Sequence, residues 1–354
     1  MKATAPDHAA IRALAEELAG QIGRRIIGLE DVVEQVLIAV VTRNHVLLEG
    51  VPGLAKTLLL STTSELLDLS FSRIQFTPDL MPSDVTGSEY LVQDAESGER
   101  SFRFAEGPVF ANVVLADEIN RAPPKTQAAL MEAMEEGQVT SLGVSRPLGD
   151  PFFVLATQNP IEQEGTYPLP AAQLDRFVFK VRLEYPSWSE EDRIARLTAL
   201  HDDEPLSPVT DRASLLAVQD AVARTPLPPR VLRYAVQLAH TSRPGSEDAP
   251  PVIREYVEWG AGPRAAQALV TAARARALLR GRRLADHEDV VAVAPAVLRH
   301  RLILSYAAEA DGVGTDDDTT MLLDHVPRPG LRVEAETSWW RRLVGDLFGT
   351  RRSA

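Results

Sequence analysis

The segment Gly50–Thr57 contains the residue types that bind a chain of phosphates. It fits the pattern G-x-x-x-x-G-K-[ST] except at Ala55, which replaces the second glycine. Such a loop surrounds phosphates with backbone N–H groups, places a lysine on the outer phosphates and offers a hydroxyl to magnesium. The residues that could do this here are Gly50, Gly53, Lys56 and Thr57. A chance glycine-rich turn is the alternative, and we expect Ala55 to be tolerated at a negative φ.

Two adjacent carboxylates, Asp117 and Glu118, end an apolar run that predicts a buried strand over residues 111–116. In phosphoryl-transfer enzymes with such a loop, one acid holds magnesium and a neighbouring group orients the attacking water. Open parallel sheets bind ligands at the carboxyl ends of their strands, so Thr57 and Asp117 could form one magnesium site. An acidic helix cap would use the same residue types, but the upstream phosphate loop favours catalysis.

A third polar segment follows the apolar run 152–156, which also predicts a buried strand. Its sequence is Thr157-Gln158-Asn159-Pro160. The Asn159 amide at a neighbouring strand end could bond the γ-phosphate or the attacking water. The alternative is an ordinary turn, since Asn-Pro is a common turn sequence.

The elements that must position these residues alternate between strand and helix. Helical spacing of apolar residues precedes the apolar strand run His45–Glu49, and further helices are predicted over 56–69 and 124–136. A short strand is predicted over 73–76. This alternation predicts an α/β fold with a parallel sheet covered on both faces.

The strand pattern ends after about Pro186. Helical patterns then predict a small all-helical domain, with helices over 190–201, 214–223, 229–241, 263–279 and 286–302. An acidic, glycine-containing stretch over 311–320 predicts a loop. We therefore predict an α/β domain over 1–185, a helical lid over 186–305, and a C-terminal extension over 306–354 with a short amphipathic helix.

Composition limits the possible classes of function. The chain has 354 residues, 45% of them apolar, which suits two folded domains. It has no cysteine, which excludes disulfides, thiol nucleophiles and cysteine-bound metals. Its net charge of −13 argues against bulk attraction to nucleic acid. Neither a signal peptide nor an apolar run long enough to span a membrane is apparent, and we expect a cytoplasmic protein.

Taken together, these motifs resemble one family. The order of phosphate loop, acid pair, polar strand end and helical lid is similar to that of AAA+ ATPases. Within that class, the chain resembles the MoxR family over about residues 26–302. The segments that carry the resemblance are Gly50–Thr57, Gln75–Asp84, Ala116–Gln127, Ala156–Pro160, Leu174–Phe177, Gly262–Arg264 and Val297–Arg301.

The resemblance implies a role for individual residues. Asn159 matches sensor 1, and Arg264 matches sensor 2, which would reach the γ-phosphate of its own subunit. Arg176 matches the arginine finger, which acts on the neighbouring subunit and can raise the rate about 10³–10⁵-fold. A surface salt bridge is the alternative for Arg176. The implied catalytic set is Lys56, Glu118, Asn159, Arg176 and Arg264, with Thr57 and Asp117 on the metal. The implied nucleotide contacts are Ile26, Ile27 and Gly28 at the adenine, and Gly50, Val51, Pro52, Gly53, Leu54, Ala55, Lys56, Thr57 and Leu58 at the phosphates.

The same resemblance implies a function. ATP and Mg²⁺ are the expected cofactors, and the expected assembly is a homo-oligomeric, hexameric ring that remodels or matures partner proteins. Those partners are expected to bear von Willebrand factor A domains. Three alternatives remain open at this point: a magnesium-chelatase-type motor, a DNA-dependent motor, and a nucleotide-switched scaffold with little turnover.

Two further features of the sequence are each compatible with more than one role. Alternating residues predict hairpins over 89–110 and 138–148, which either face the ring pore or substrate or are plain surface hairpins. Near the C-terminus, apolar residues recur at i, i+4 and i+8 from Trp339 and from Trp340. This stripe could dock on the chain's own lid or a neighbouring subunit, or bind a partner protein or a membrane surface.

Overall fold

A computed structural model describes residues 7–93, 100–141, 143–160, 165–200 and 206–329. The first part of the chain forms α1 (His8–Arg25), α2 (Glu30–Val41), β1 (His45–Glu49), α3 (Lys56–Leu66), β2 (Phe71–Gln75), α4 (Pro82–Thr86), β3 (Gly87–Gln93), β4 (Arg100–Glu106), β5 (Val113–Asp117), α5 (Pro124–Glu136), β6 (Gln138–Ser141), β7 (Val144–Pro147), β8 (Phe153–Gln158), α6 (Ala171–Leu174) and β9 (Phe177–Arg182). The second part forms α7 (Trp188–Leu200), α8 (Arg212–Arg224), α9 (Pro229–Thr241), α10 (Pro251–Tyr256), β10 (Val257–Trp259), α11 (Pro263–Leu279), α12 (His287–Leu298), β11 (Ile303–Leu304), α13 (Tyr306–Asp311) and α14 (Thr315–His325).

The main sheet has the strand order β2-β5-β8-β1-β9. All neighbours in it are parallel. Strand β1 therefore lies between β8 and β9, and β5 lies on the other side of β8. Because parallel strands end at the same edge, this order brings the phosphate loop after β1 close to the polar ends of β8 and β5.

Helices cover both faces of this sheet, as the sequence predicts. Val46 and Leu48 of β1 join the core shared with α1, α2 and the lid helices. Leu47, between them, joins the core formed with α5. All three side chains are fully buried. This alternation follows the two-residue period of a strand, and its burial on both faces explains why β1 is a continuous apolar run.

The lid is helical, as predicted, with α11 packed between α9 and α12. Helix α11 turns a row of small residues to its neighbours, and Ala265, Ala272 and Ala273 are fully buried. Such residues let helix backbones approach closely. The lid also contains a short antiparallel ladder between β10 and β11 that the sequence patterns did not predict. A strand of two or three residues is too short to show a period.

The loop predicted over residues 311–320 is wrong. Residues up to Asp311 belong to α13, and α14 begins at Thr315. The acidic residues that suggested a loop form the first turn of α14, where negative charge opposes the partial positive charge of a helix N-terminus. Leu322 and Leu323 are buried where α14 packs on the lid.

Both predicted hairpins are confirmed, and they contact each other. Strands β3 and β4 pair in antiparallel register, as do β6 and β7. Arg146 of β7 forms a salt bridge of 2.9 Å with Glu89 of β3, and its guanidinium lies 3.9 Å from the centre of the Phe104 ring. The predicted amphipathic stretch from Trp339 lies outside the described residues. Among the described helices, none is both long and apolar enough to cross a membrane.

Candidate nucleotide site

The phosphate loop connects the end of β1 to the start of α3. Helix α3 begins at Lys56, and the Lys56 Nζ donates a hydrogen bond of 2.8 Å to the Gly50 carbonyl. Gly50 lies against Leu183, the residue directly after β9, since a Cβ at Gly50 would be only 2.7 Å from the Leu183 Cβ. Gly53 has a φ of +87°, which a glycine adopts without steric cost. The loop thus has the strand–loop–helix geometry that phosphate binding requires.

The expected negative φ at Ala55 is wrong. Ala55 has a φ of 51° and a ψ of 20°, in the left-handed region. The general phosphate-loop pattern places a glycine here, and the backbone keeps that glycine-like conformation although the residue is alanine. The left-handed region costs an L-residue about 1–2 kcal/mol. The loop therefore retains its shape at the expense of some local strain.

The Lys56 ammonium lies near both carboxylates of the acid pair. Burial lowers the pKa of Lys56, while the charges of Asp117 and Glu118 act in the opposite direction. This places the first turn of α3, which also holds Thr57, beside the end of β5. The prediction that the loop and the acid pair share one site is therefore matched by the geometry.

Asp117 is held from two sides at the end of β5. Arg73 donates to its Oδ2 from Nη2 at 2.6 Å and from Nε at 3.2 Å. The buried Thr157 hydroxyl donates to its Oδ1 at 2.7 Å. Both partners come from neighbouring strands, β2 and β8, so the sheet itself fixes the orientation of this carboxylate.

Glu118 has a distinct backbone conformation and its own set of partners. Its φ is 57°, and its N–H donates to the Thr157 Oγ1 at 2.8 Å. Its Oε2 accepts from the Gln75 amide and from Arg121, each at 2.8 Å. The left-handed turn directs Glu118 away from the strand line, so adjacent residues present their carboxylates to different partners.

The donor set fits a magnesium ion. The predicted ligands, Thr57 and Asp117, offer a hydroxyl and a carboxylate, and hard oxygen donors are those that Mg²⁺ prefers. Asn159 is buried directly after β8, between the strand that carries the acid pair and the strand that precedes the loop. The phosphate loop, the acid pair and Asn159 therefore all lie at the carboxyl edge of the sheet, where its strands end.

A cavity of about 200 Å³ lies beside the phosphate loop. It brings together the predicted adenine contacts Ile26, Ile27 and Gly28 with the loop residues Gly53, Leu54, Ala55 and Leu58. Residues that the sequence analysis did not single out complete it, namely Pro186 before α7 and Ile194 and Leu197 of that helix. The size and partly apolar lining suit a flat base, and α7 links this cavity to the lid side of the chain.

The two predicted arginines lie at the opposite edge of the sheet. Arg176 directly precedes β9, whose first residue pairs with His45 at the start of β1. Five strand residues, about 16 Å at 3.3 Å each, separate that edge from the phosphate loop. The expectation that Arg264 reaches the nucleotide of its own subunit is therefore wrong for this arrangement, because Arg264 lies with Arg176.

Glu135 of α5 joins these two arginines. Its Oε1 accepts from the Arg264 Nη2 at 3.0 Å, and its Oε2 accepts from the Arg176 Nη2. The Arg264 bond, followed by the charge of Arg176, lowers the pKa of the Glu135 carboxyl. Both arginines line a cavity of about 520 Å³ that also includes His45. Burial lowers the pKa of His45 to about 4, so it is neutral and structural, with its ring bonded to Met134 O and the Val154 N–H.

Sequence reasoning missed several partners within these sites. Arg73 and Gln75 are two residues apart on β2, so they share one face, but nothing in the sequence pairs β2 with β5. Thr157 lies in the polar segment after the strand run 152–156, but the sequence did not predict that its hydroxyl bonds both Asp117 and the Glu118 N–H. Glu135 is one of three glutamates in the last turns of α5, and no local pattern distinguishes it from the other two.

Comparison with known proteins agrees with this architecture. Residues 45–179 match the model of the ATPase family associated with various cellular activities (AAA). Residues 251–321 match the AAA lid domain. A parallel sheet with this loop and acid pair, followed by this lid, is that of an AAA+ ATPase.

Individual relatives narrow the class. The chain is 41% identical to Chaperone MoxR1 of Mycobacterium tuberculosis, over 87% of this chain and 81% of that protein. It is 32% identical to Protein MoxR of Methylorubrum extorquens, over 80% of this chain and 86% of that protein. The crystal structure of a putative ATPase from Cytophaga hutchinsonii is 38% identical, with a TM-score of 0.84, over 91% of this chain and 96% of that one. The chain belongs to the MoxR family of AAA+ ATPases.

Proposed function

We propose that this ATPase works as a ring in which each active site combines two subunits. One observation carries the proposal: the phosphate loop and the arginine pair lie at opposite edges of one sheet. A single subunit cannot close them on one nucleotide. A head-to-tail neighbour, related by rotation, would bring the edge of its sheet where the strands begin (the amino edge) to the edge of this sheet where the strands end (the carboxyl edge). Such heterologous contacts close into rings.

Residues at the carboxyl edge would bind ATP and orient water. Lys56 would contact the β- and γ-phosphates, and Thr57 and Asp117 would hold Mg²⁺, which when bound neutralises charge on the phosphate oxygens. Glu118 would accept a hydrogen bond from the water whose oxygen attacks the γ-phosphorus, while the bond to the bridging oxygen of ADP breaks. Asn159 would bond the γ-phosphate or that water. For this, Glu118 must exchange its bonds to Gln75 and Arg121 for the water.

Residues at the amino edge would complete the neighbour's site. Arg176 and Arg264 would meet the γ-phosphate of the adjacent subunit, where negative charge develops. Glu135 holds both guanidinium groups together before that contact. A carboxylate and a phosphate present similar oxygens to arginine, so the pair is oriented in advance for an anion.

Mixing two inactive variants tests this arrangement. Glu118→Gln should bind ATP without turnover, and Arg176→Ala should assemble without turnover. Mixed together, they should regain activity, because some sites combine Glu118 of one subunit with Arg176 of another. The ATPase rate per subunit should also rise with protein concentration. If the mixture stays inactive while both variants assemble and bind ATP, the shared-site proposal is wrong.

The biological role rests on the family. The chain is a MoxR chaperone-like ATPase, and we propose that its ring is hexameric and acts on proteins that bear von Willebrand factor A domains. The Glu118→Gln variant, which should bind ATP without hydrolysing it, should retain such a partner when ATP is present. The Lys56→Ala variant, which loses the phosphate contact, should release it. A partner retained equally by both variants would contradict nucleotide-dependent action.

Two other functions predict different measurements. A DNA-dependent motor requires that DNA stimulate hydrolysis, and the net charge of −13 argues against it. A nucleotide-switched scaffold predicts slow hydrolysis in a single turnover on the assembled ring. The presence of Lys56, Thr57, Asp117 and Glu118 in one site favours turnover.

A further inference from the structure

Arg301 is a buried arginine that contacts the chain on both sides of Arg176. Its side chain is only 4% exposed. Its Nε donates to the Asp175 Oδ1 at 2.7 Å, and its Nη2 donates to the Asp175 carbonyl at 3.2 Å and to the Phe177 carbonyl at 2.8 Å. Asp175 and Phe177 are the two residues that flank Arg176.

The guanidinium of Arg301 uses every donor that it has. Its Nη1 donates to the Val178 carbonyl at 3.2 Å and to the Val297 carbonyl at 2.6 Å. An arginine carries five N–H donors, and four of these five bonds end on residues 175–178. A planar fork with this many fixed partners leaves little freedom to the backbone that it contacts. Arg301 thus fixes the short segment that carries Arg176.

Burial makes this arrangement costly for a residue that only fills space. Burial lowers the pKa of Arg301, and Asp175 acts in the opposite direction. A buried charged pair is often no more stabilising than apolar side chains of the same volume, so its benefit is better sought in geometry. The bonds of Arg301 fix the segment that carries Arg176. In the proposed ring, Arg176 acts in the nucleotide site of the neighbouring subunit and not in that of its own subunit.

The two lid residues before Arg301 also contact β9. The His300 Nε2 is 3.0 Å from the Phe177 carbonyl, and the Arg299 Nη1 donates to the Lys180 carbonyl at 2.6 Å. Arg299 also bonds Asp316 of α14. Strand β9 is the outermost strand of the sheet, and the side chains of residues 299–301 donate to carbonyl groups along it. Only Arg301 in this segment bonds both residues next to Arg176, so Arg299 provides a matched control.

We propose that Arg301 is a positioning residue for the neighbour's active site, because it fixes the backbone on both sides of Arg176. The lid thereby sets the direction of an arginine that acts in the next subunit. This inference rests on the proposed shared site. It adds that the lid residue Arg301 affects hydrolysis one subunit away and leaves its own subunit's nucleotide site unaffected.

The test compares Arg301→Lys with Arg299→Lys. Lysine keeps the charge but cannot bond the four acceptors on residues 175–178. Because a misplacement of 1 Å can cost about 10²-fold in rate, we expect kcat of Arg301→Lys to fall about ten- to hundredfold. The KM for ATP should stay unchanged, since Arg301 is far from its own phosphate loop. Arg299→Lys, which loosens the lid on β9 elsewhere, should keep the wild-type kcat.

Mixing distinguishes positioning from a loss of structure. Arg301→Lys subunits should regain hydrolysis when mixed with Glu118→Gln subunits, which supply an intact Arg176 segment. Asp175→Asn, which weakens the same contact without changing its shape, should show a smaller loss with the same rescue, and decides the question if Arg301→Lys does not fold. The inference is overturned if Arg301→Lys keeps its kcat, or if its loss is not rescued.

An Arg176→Ala and Glu118→Gln mixture, measured in parallel, separates the two proposals. If that mixture regains activity and the Arg301→Lys mixture does not, the shared site stands and the role of Arg301 is wrong. If neither mixture regains activity, the shared site is wrong, and the inference about Arg301 is overturned with it.

Discussion

Arg73 donates two hydrogen bonds to a single oxygen of Asp117, the carboxylate that we expect to hold magnesium. The Asp117 side chain is 13% exposed and that of Arg73 is 48% exposed. The Arg73 guanidinium therefore lies close enough to Asp117 to repel a metal ion bound there. Arg73 keeps the carboxylate ordered without a metal, but it must also weaken the attraction of Asp117 for one.

Replacement of Arg73 should therefore lower the Mg²⁺ concentration that the ATPase requires. For Arg73→Gln we expect the Mg²⁺ concentration that gives half-maximal ATPase to fall about two- to fivefold, or about 0.5–1 kcal/mol for a partly exposed pair. A magnesium titration at saturating ATP measures this. Arg103→Gln, at an exposed position of β4, makes the same change of charge and should leave the titration unaltered. A weaker magnesium response in Arg73→Gln would contradict the expectation.

Thr157 connects the two members of the acid pair. Thr157→Val keeps the shape but removes the donor to Asp117 and the acceptor of the Glu118 N–H. A buried group left without a partner costs about 1–3 kcal/mol, so we expect a loss of that size in the free energy of unfolding. Chemical denaturation measures it, and the ATPase rate should fall as well. Thr157→Ser keeps the hydroxyl and should retain most of both; equal losses in the two variants would disprove the role of the hydroxyl.

The left-handed φ of Ala55 predicts a near-neutral effect for one small substitution and a destabilising effect for another. Glycine adopts this conformation freely, so Ala55→Gly should change the free energy of unfolding by less than about 1 kcal/mol and leave ATP binding intact. A β-branched residue is poorly suited to a positive φ, so Ala55→Val should destabilise by about 1–2 kcal/mol and weaken ATP binding. Denaturation and nucleotide titration test both. A neutral Ala55→Val would mean that the loop does not need this conformation.

Asp318 gives the lid a dependence on pH. Burial, followed by the charge of Asp317, raises the pKa of Asp318 from 3.8 to about 6, and neither of its carboxylate oxygens has a hydrogen-bond partner among the described residues. The folded state thus holds this proton more tightly than the unfolded state. Its contribution to stability is complete below pH 3.8 and is lost as the pH rises through about 6.

Asp318→Asn should remove this loss, because the amide stays neutral. Compared with the wild type, we expect the variant to be more stable at pH 8, by up to about 3 kcal/mol, with a much smaller difference at pH 4. Thermal melts of both proteins across this range measure the difference at each pH, so other titrating groups cancel. A difference that does not vary with pH would contradict the raised pKa.

Local patterns in the sequence predicted the elements near the phosphate site well. The bounds of β1, α5, α9 and α11 agree with the helices and strands observed. Their apolar periods, prolines and glycines act within a few residues, and these signals are present in the chain itself. The stretch 311–320 failed for a related reason: acidic residues favour both loops and first helical turns, and only packing on the lid decides between them.

The sequence by itself determined the class, the phosphate loop and the acid pair, because contiguous motifs carry them. The tertiary structure decided which edge of the sheet each functional residue occupies. It placed Arg176 and Arg264 on Glu135, 41 and 129 residues away along the chain, and gave Ala55 its left-handed conformation. Such contacts depend on strand order and on how the lid packs on β9. Residues far apart in sequence meet only when the whole core forms, so no local pattern encodes them.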